Sequence, residues 1–276
     1  MALDVLQWVV IGFLLILPIL YELNSTFKYY AKFFFYYVIV NLLAFMVIFL
    51  SLPRAKDVTN YGCRSSASAI KSIRKLFGIE IRNPWEENLE SNKPYILVSN
   101  HQSSLDFFGM MEIWPLRCTS LAKKELMYTG PFGLAAWLCG TVFIDRLNHD
   151  RAVSTIKETA DFINKNNVKV FIFPEGTRNH SGSILPFKKG AFYLAVQAQV
   201  PVVPVVFSSY SDFYSKRDKR FETGKFIITC LPPVNTVGRK DADVAVLTED
   251  VRQQMLDAFN QTSLESRQPR VTTTVK

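Results

Sequence analysis

Three short stretches carry residues whose types and spacing suit chemistry. In the first, the apolar run Tyr95-Ile96-Leu97-Val98 leads into Ser99-Asn100-His101, and Asp106 follows five residues after the histidine. An imidazole paired with a carboxylate makes a general base and its orienter. On a straight helix that spacing would leave the two side chains well apart around the axis. Pairing therefore requires a bend, and Asn100 to Ser104 is rich in turn formers. A histidine near an aspartate is also a common structural pair; the place of His101 after an apolar strand favours the catalytic reading. His149, in Asn148-His149-Asp150, reads as surface, and His180 lies beside the second stretch.

The second stretch is Phe171 to Arg178, FIFPEGTR. An apolar strand runs into Pro174, whose ring fixes the backbone, and Gly176 permits a close approach of main chain to a ligand. Arg178 offers a planar fork matched to a phosphate. Glu175 is expected to orient Arg178 or to receive a substrate hydroxyl. A strand followed by a turn with a surface ion pair is the plainer alternative. The third stretch, Gly140 to Arg146 (GTVFIDR), again ends a strand in an acid and a base, so Arg146 is a second candidate phosphate ligand. Lys123-Lys124, Lys188-Lys189 and the run Lys216 to Arg220 read as solvated cationic turns, the last also suited to lipid headgroups or to the phosphates of a soluble donor.

Other chemistries lack their motifs. The chain has no GxSxG elbow for Ser103 or Ser104 to occupy and no GxxxxGK[ST] phosphate loop. Cys63, Cys118, Cys139 and Cys230 are scattered without CxxC spacing, so four reduced cysteines and no metal site are expected.

The elements that must position these residues follow from the apolar pattern. Strands are expected at 95–98, 119–122, 142–144, 169–173, 202–207 and 226–231, and helices at 105–113, 132–138, 151–165, 191–199 and 247–259. Val-, Ile- and Phe-rich strands alternating with helices imply an α/β fold, with a largely parallel sheet covered by helices on both faces. In such sheets sites gather at the carboxyl ends of the strands, where all three stretches fall.

Upstream, Val5 to Tyr21 and Phe33 to Leu52 carry no charge, and the short linker between them predicts an N-terminal hydrophobic helical hairpin. The second segment is long enough to cross a bilayer of about 30 Å; the first is near the limit. Asp4, with no basic residue before it, argues against a cleaved signal peptide. The net charge of +8 among 276 residues suits an anionic partner. Without nucleic-acid-binding motifs, and with two apolar segments, that partner is expected to be membrane lipid and not nucleic acid. Arg54, Lys56, Arg64, Lys71, Arg74 and Lys75 beyond the second segment place the rest of the chain in the cytosol. The domains are expected as a membrane-anchoring hairpin over 1–56, an interfacial amphipathic linker over 57–92, an α/β domain over 93–262 and a disordered tail over 263–276. The linker helix, with Ile70, Ile73 and Phe77 on one face, suits a lipid surface or packing on the core equally well.

Taken together, NHQSSLD at 100–106, FIDR at 143–146, FPEGTR at 173–178 and VPVVPV at 200–205 resemble, in order and spacing, the four blocks of the HxxxxD glycerolipid acyltransferases. The whole chain most resembles their 1-acylglycerol-3-phosphate acyltransferases of the alpha/beta animal type. The resemblance implies acyl transfer from acyl-CoA, a co-substrate, to the sn-2 hydroxyl of lysophosphatidic acid at an endoplasmic reticulum membrane, with no cofactor and no acyl-enzyme. His101 and Asp106 would be catalytic, and Lys123, Arg146, Glu175, Gly176, Thr177 and Arg178 would bind substrate. Two alternatives stay open. The same fold can serve another lysophospholipid or glycerol-3-phosphate, or form a non-catalytic membrane scaffold.

Overall fold

The structure, a computed structural model, describes residues 4–58, 61–82, 89, 91–145 and 149–267. Two apolar helices come first, α1 (Val5–Leu23) and α2 (Ser25–Ser51), each long and apolar enough to cross a membrane. Asp4 caps α1 through the Gln7 amide, and the Gln7 side chain returns a bond to the Asp4 backbone. The turn between the helices is Asn24 alone. Its N–H closes α1 on Leu20 and its side chain accepts from Phe27 N to open α2.

The remaining elements are α3 (Tyr61–Ile73), β1 (Ile79–Arg82), β2 (Ile96–Ser99), α4 (Asp106–Glu112), β3 (Cys118–Lys123), α5 (Pro131–Leu138), β4 (Val142–Ile144), α6 (His149–Asn166), β5 (Lys169–Ile172), α7 (Gly190–Ala198), β6 (Val202–Phe207), β7 (Tyr214–Ser215), β8 (Arg220–Phe221), β9 (Gly224–Cys230) and α8 (Val244–Arg267). Seven strands form one sheet in the order β1-β9-β6-β2-β5-β3-β4, parallel except where β9 runs against β6. β7 and β8 make a separate hairpin. The expected α/β fold with a largely parallel sheet is what the chain forms.

Both faces of the sheet are covered, and alternation along β2 shows how. Ile96 and Val98 join the core beneath α6, α7 and α8, with Ile163, Phe192 and Val251. Leu97 faces the other way into a core with Tyr29, Phe33 and Tyr36 of α2, Ile70 of α3 and Phe108 of α4. Complete burial on both faces is why β2, β5 and β6 read as unbroken apolar runs.

Helix α2 is thus a layer of the α/β domain and not a separate anchor. Residues 29, 32, 33, 36, 44, 47 and 51 are buried at helical spacing, and the partly buried Val40 and Leu43 continue that stripe. The opposite face stays bare, with Phe34, Phe35, Leu42, Phe45 and Phe49 exposed, and α1 buries no residue at all. An apolar surface this continuous is typical of a lipid or protein contact.

The expected linker over 57–92 is also domain. Ile70 and Phe77 are buried in the core, Arg74 is held by Glu112 at 3.2 Å, and Ile79–Arg82 is an edge strand of the sheet. The amphipathic face of α3 covers protein, the second of its two sequence readings. The expected disordered tail is helical over 263–267, where α8 runs on to Arg267 with Ser263 and Ser266 buried, and its remainder, 268–276, lies outside the described residues. Short hydroxyl side chains hide that burial from a hydrophobicity pattern. Cys118 and Cys230 are buried outside any disulfide, whereas Cys139 is disulfide-bonded, contrary to four reduced thiols. The lack of CxxC spacing does not exclude a bridge.

Candidate active site

The chain leaves the carboxyl end of β2 at Asn100 and bends through residues 103–105 before α4 begins at Asp106. That bend brings the Asp106 carboxylate back over the loop. Its Oδ2 accepts from the N–H groups of Gln102 at 2.6 Å and Ser103 at 3.0 Å, and meets His101 Nδ1 at 2.6 Å. A carboxylate only accepts, so Nδ1 carries the proton and Nε2 is left as the basic nitrogen. The imidazole lies flat on Phe173, ring centroids 4.1 Å apart and planes 16° apart, with a fifth of its side-chain surface open. Asp106 is almost completely buried. Its Oδ1 and the Tyr210 hydroxyl are both buried, with the Asp106 carboxylate close enough to act on the phenol. Burial and the Asp106 charge push the Tyr210 phenol well above its ordinary value.

Residues on either side of His101 fasten the loop to the next strand. Asn100 exchanges two hydrogen bonds with the backbone of Phe207, at 2.8 and 2.9 Å. Gln102 donates to the carbonyls of Phe207 and Ser208 and accepts from Tyr210 N. Sequence reading had passed over both residues, because their partner is more than 100 positions away and becomes a neighbour only through the β2–β6 pairing. The anchor helix also holds the loop. The Tyr36 hydroxyl donates to the Ser104 carbonyl at 2.7 Å, and Tyr37 donates to the Ser104 hydroxyl at 3.2 Å.

The FIFPEGTR stretch follows β5, the strand beside β2. Glu175 does not pair with Arg178. It is buried, with Oε1 accepting from His101 N at 2.7 Å and Oε2 from Leu185 N at 3.0 Å. Burial raises its carboxyl above the usual range, and those two N–H bonds hold it down in part. Asn179 N donates in turn to the His101 carbonyl at 2.7 Å. Gly176 has φ +70°, and the Lys188 side chain lies where a Cβ would project, bringing an unanticipated ammonium over this turn. Thr177 and Arg178 are exposed beyond it.

Of the expected site residues, the structure therefore gathers His101, Asp106 and Glu175 by direct bonds, with Gly176, Thr177 and Arg178 on the adjoining turn. Lys123 stands exposed at the end of β3, separated from β2 by β5. Its neighbour Lys124 pairs with Asp145 at 3.3 Å. Arg146 lies outside the described residues. Among the described residues no cluster of His, Cys, Asp or Glu could hold a metal ion.

Two cavities lie near the loop that holds His101 and Asp106. An apolar one of about 100 Å³ lies between α2, α4 and α5, lined by Val40, Leu43, Phe107, Met110, Trp114 and Phe132 among others. A polar one of about 490 Å³ opens beside Gln102, bounded by residues 179–182 and the β7–β8 hairpin. Such a site, with an imidazole oriented by a buried carboxylate, can take a proton from a hydroxyl.

Residues 79–208 match the family model described as Acyltransferase. Over 251 residues the chain is 45% identical to the 1-acyl-sn-glycerol-3-phosphate acyltransferase alpha of Bos taurus, covering 91% of this chain and 87% of that protein. It is 44% identical to the alpha protein of Homo sapiens (91% and 88% covered) and 39% identical to the beta protein of Homo sapiens (89% and 88%). The crystal structure of the 1-acyl-sn-glycerophosphate (LPA) acyltransferase PlsC from Thermotoga maritima superposes with a TM-score of 0.67 at 24% identity, covering 90% of this chain and 98% of that one. At that identity the likeness concerns the fold.

Proposed function

The chain belongs to the 1-acyl-sn-glycerol-3-phosphate acyltransferases, and on that premise we propose that it moves a fatty acyl group from acyl-CoA to the sn-2 hydroxyl of lysophosphatidic acid, giving phosphatidic acid. The observation that carries the mechanism is the 2.6 Å bond from His101 Nδ1 to Asp106, which leaves Nε2 free to act as base. The hydroxyl oxygen attacks the thioester carbonyl carbon while its proton passes to Nε2. The tetrahedral intermediate then expels the CoA thiolate, which takes the proton from the imidazolium. General-base help of this kind is worth about 10² to 10⁴ in rate, roughly 3–5 kcal/mol of barrier. A thiolate leaves without strong acid assistance, its parent thiol having a pKa near ~8.5 by analogy with cysteine. Neither an acyl-enzyme nor a cofactor enters.

Glu175 fixes the backbone on which His101 sits, and Gly176 and Thr177 shape the turn that presents Arg178 to the acceptor phosphate. Lys123, at the end of β3, and Arg146 complete the anion-binding site. The apolar cavity against α2, at about 100 Å³, receives one part of the acyl chain, and the rest stays in lipid. The apolar surface of α1 and α2 sits in the bilayer of the endoplasmic reticulum, and the basic excess that follows keeps the site on the cytosolic side.

One assay tests this reading. Purified protein in detergent is given oleoyl-CoA with a panel of acceptors. Turnover of lysophosphatidic acid, lost by a factor of about 10² or more in His101→Ala, is expected. Turnover only of lysophosphatidylcholine or glycerol-3-phosphate would move the assignment to the alternative acceptors. No turnover of any acceptor would favour the scaffold, and undiminished activity in His101→Ala would overturn the base. Repeated on sealed microsomes, which oleoyl-CoA does not enter, the assay reads orientation. Full activity before permeabilisation is expected, and latency would place the site in the lumen.

A further inference from the structure

The polar cavity beside Gln102 plays no part in the proton transfer, yet it is the larger of the two that lie near the loop. Its walls are built from the turn after β5 and from the β7–β8 hairpin, and most of its lining is hydroxyl, amide or cationic. Lys216, Arg217 and Arg220 line it against a single carboxylate, Asp218. Asp218 is held by Ser215 at 2.7 Å and by Arg217 at 3.1 Å. The Arg220 guanidinium donates to the carbonyls of Ser211 and Asp212 and so closes the base of the hairpin. Lys216 has no ion pair among the described residues, and the Arg217 side chain is 91% exposed. Burial and the Lys216 and Arg178 cations together hold His180 below its ordinary value, a sign of positive potential across the hollow.

We propose that this cavity receives the phosphorylated nucleotide end of the acyl donor, with Lys216 and Arg217 as ligands for its phosphates; the inference rests on acyl-CoA being the donor. Size is the first argument. About 490 Å³ falls in the range of small-molecule sites, whereas a glycerol phosphate headgroup would leave most of it empty. Charge is the second. Three cations against one carboxylate suit a 3′-phosphate and a diphosphate in one ligand.

Position is the third argument. Gln102 lines the polar cavity and Phe107, next after Asp106, the apolar one. Gln102 directly follows His101, so a donor whose nucleotide lies in the polar cavity reaches the reacting base from that side of the loop. The acceptor phosphate is then left to Arg178 and the strand ends on the far side of β5.

The test uses full-length protein in detergent micelles and the double variant Lys216→Ala/Arg217→Ala, both positions being exposed. The expected result is a KM for oleoyl-CoA raised about tenfold or more, with the KM for lysophosphatidic acid little changed. Adenosine 3′,5′-bisphosphate should inhibit the wild type competitively against oleoyl-CoA and bind it by calorimetry, and both effects should weaken in the variant. Unchanged KM for oleoyl-CoA with undiminished bisphosphate binding would overturn the proposal. A raised KM for lysophosphatidic acid alone would assign the cavity to the acceptor. Weaker sedimentation with anionic vesicles, at unchanged KM values, would assign the hairpin to the bilayer. Calorimetry separates this inference from the functional reading. If the wild type transfers no acyl group but binds the bisphosphate and the variant does not, the cavity stands and the reaction fails.

Discussion

At the residue scale, His101 and Asp106 were legible because both chemistry and geometry are local: the five-residue spacing demanded a bend, and a bend is there. Glu175 was legible as part of a site but not in its role. A carboxylate beside an arginine suggests a pair, whereas here it serves two backbone N–H groups, one of them that of His101 itself. Only the contact between the ends of β2 and β5 creates that arrangement. His180 carries a prediction at this scale. Burial, then Lys216 and Arg178, lower its folded-state pKa, so the unfolded chain binds that proton more readily. Its contribution is at its full value above about pH 6.5 and is lost as pH falls from there through the lowered value. In thermal unfolding in micelles, His180→Gln should lose less stability than the wild type between pH 7.5 and 5. An equal loss in both would remove His180 as the cause.

At the element scale, long apolar strands were read nearly to the residue, since burial on both faces makes them continuous. Elements whose partner is distant were missed. β1 is four residues with alternating charge, IEIR, and becomes a strand only by pairing with β9 some 145 residues later. The β7–β8 hairpin was taken for a solvated loop because its cationic turn dominates the composition, although Phe221 is buried against Phe33 and Phe77. The contact between α2 and the catalytic loop supplies the prediction here. Tyr36→Phe removes only the buried bond to the Ser104 carbonyl and should cost about 1 kcal/mol. The loop then loosens against Asp106, so kcat/KM should fall more than in Tyr37→Phe, whose hydroxyl bond is exposed. Equal activity in the two variants would show that α2 does not hold the loop.

At the scale of the whole molecule, the sequence divides where the structure does not. A hydrophobicity profile separates an anchor over 1–56 from an enzyme, because it registers which residues are apolar and not which face of a helix meets protein. Tyr29, Phe33 and Tyr36 sit in the same core as Leu97 and Phe108. Removing residues 1–56 should therefore strip one cover from the sheet. We expect the 57–276 fragment to aggregate or to lack acyl transfer, as read by gel filtration and by the acceptor assay. A monodisperse, active fragment would show that the domain closes without α2.

The double duty of α2 also constrains how the molecule is made. The helix is complete at Ser51, and the last strand of the catalytic centre, β6, ends at Phe207. At ordinary rates of synthesis those points are roughly 10 to 30 s apart. During that interval a helix with one lipid-seeking face and one core-seeking face has only lipid, or a chaperone, to satisfy both. On the proposed membrane placement, the sheet then recruits α2 from the bilayer, drawing its Tyr29, Phe33 and Tyr36 face out of hydrocarbon. Insertion and the final folding of the sheet are then coupled steps, and on that reading the membrane surface is part of the environment in which the proposed site is first assembled.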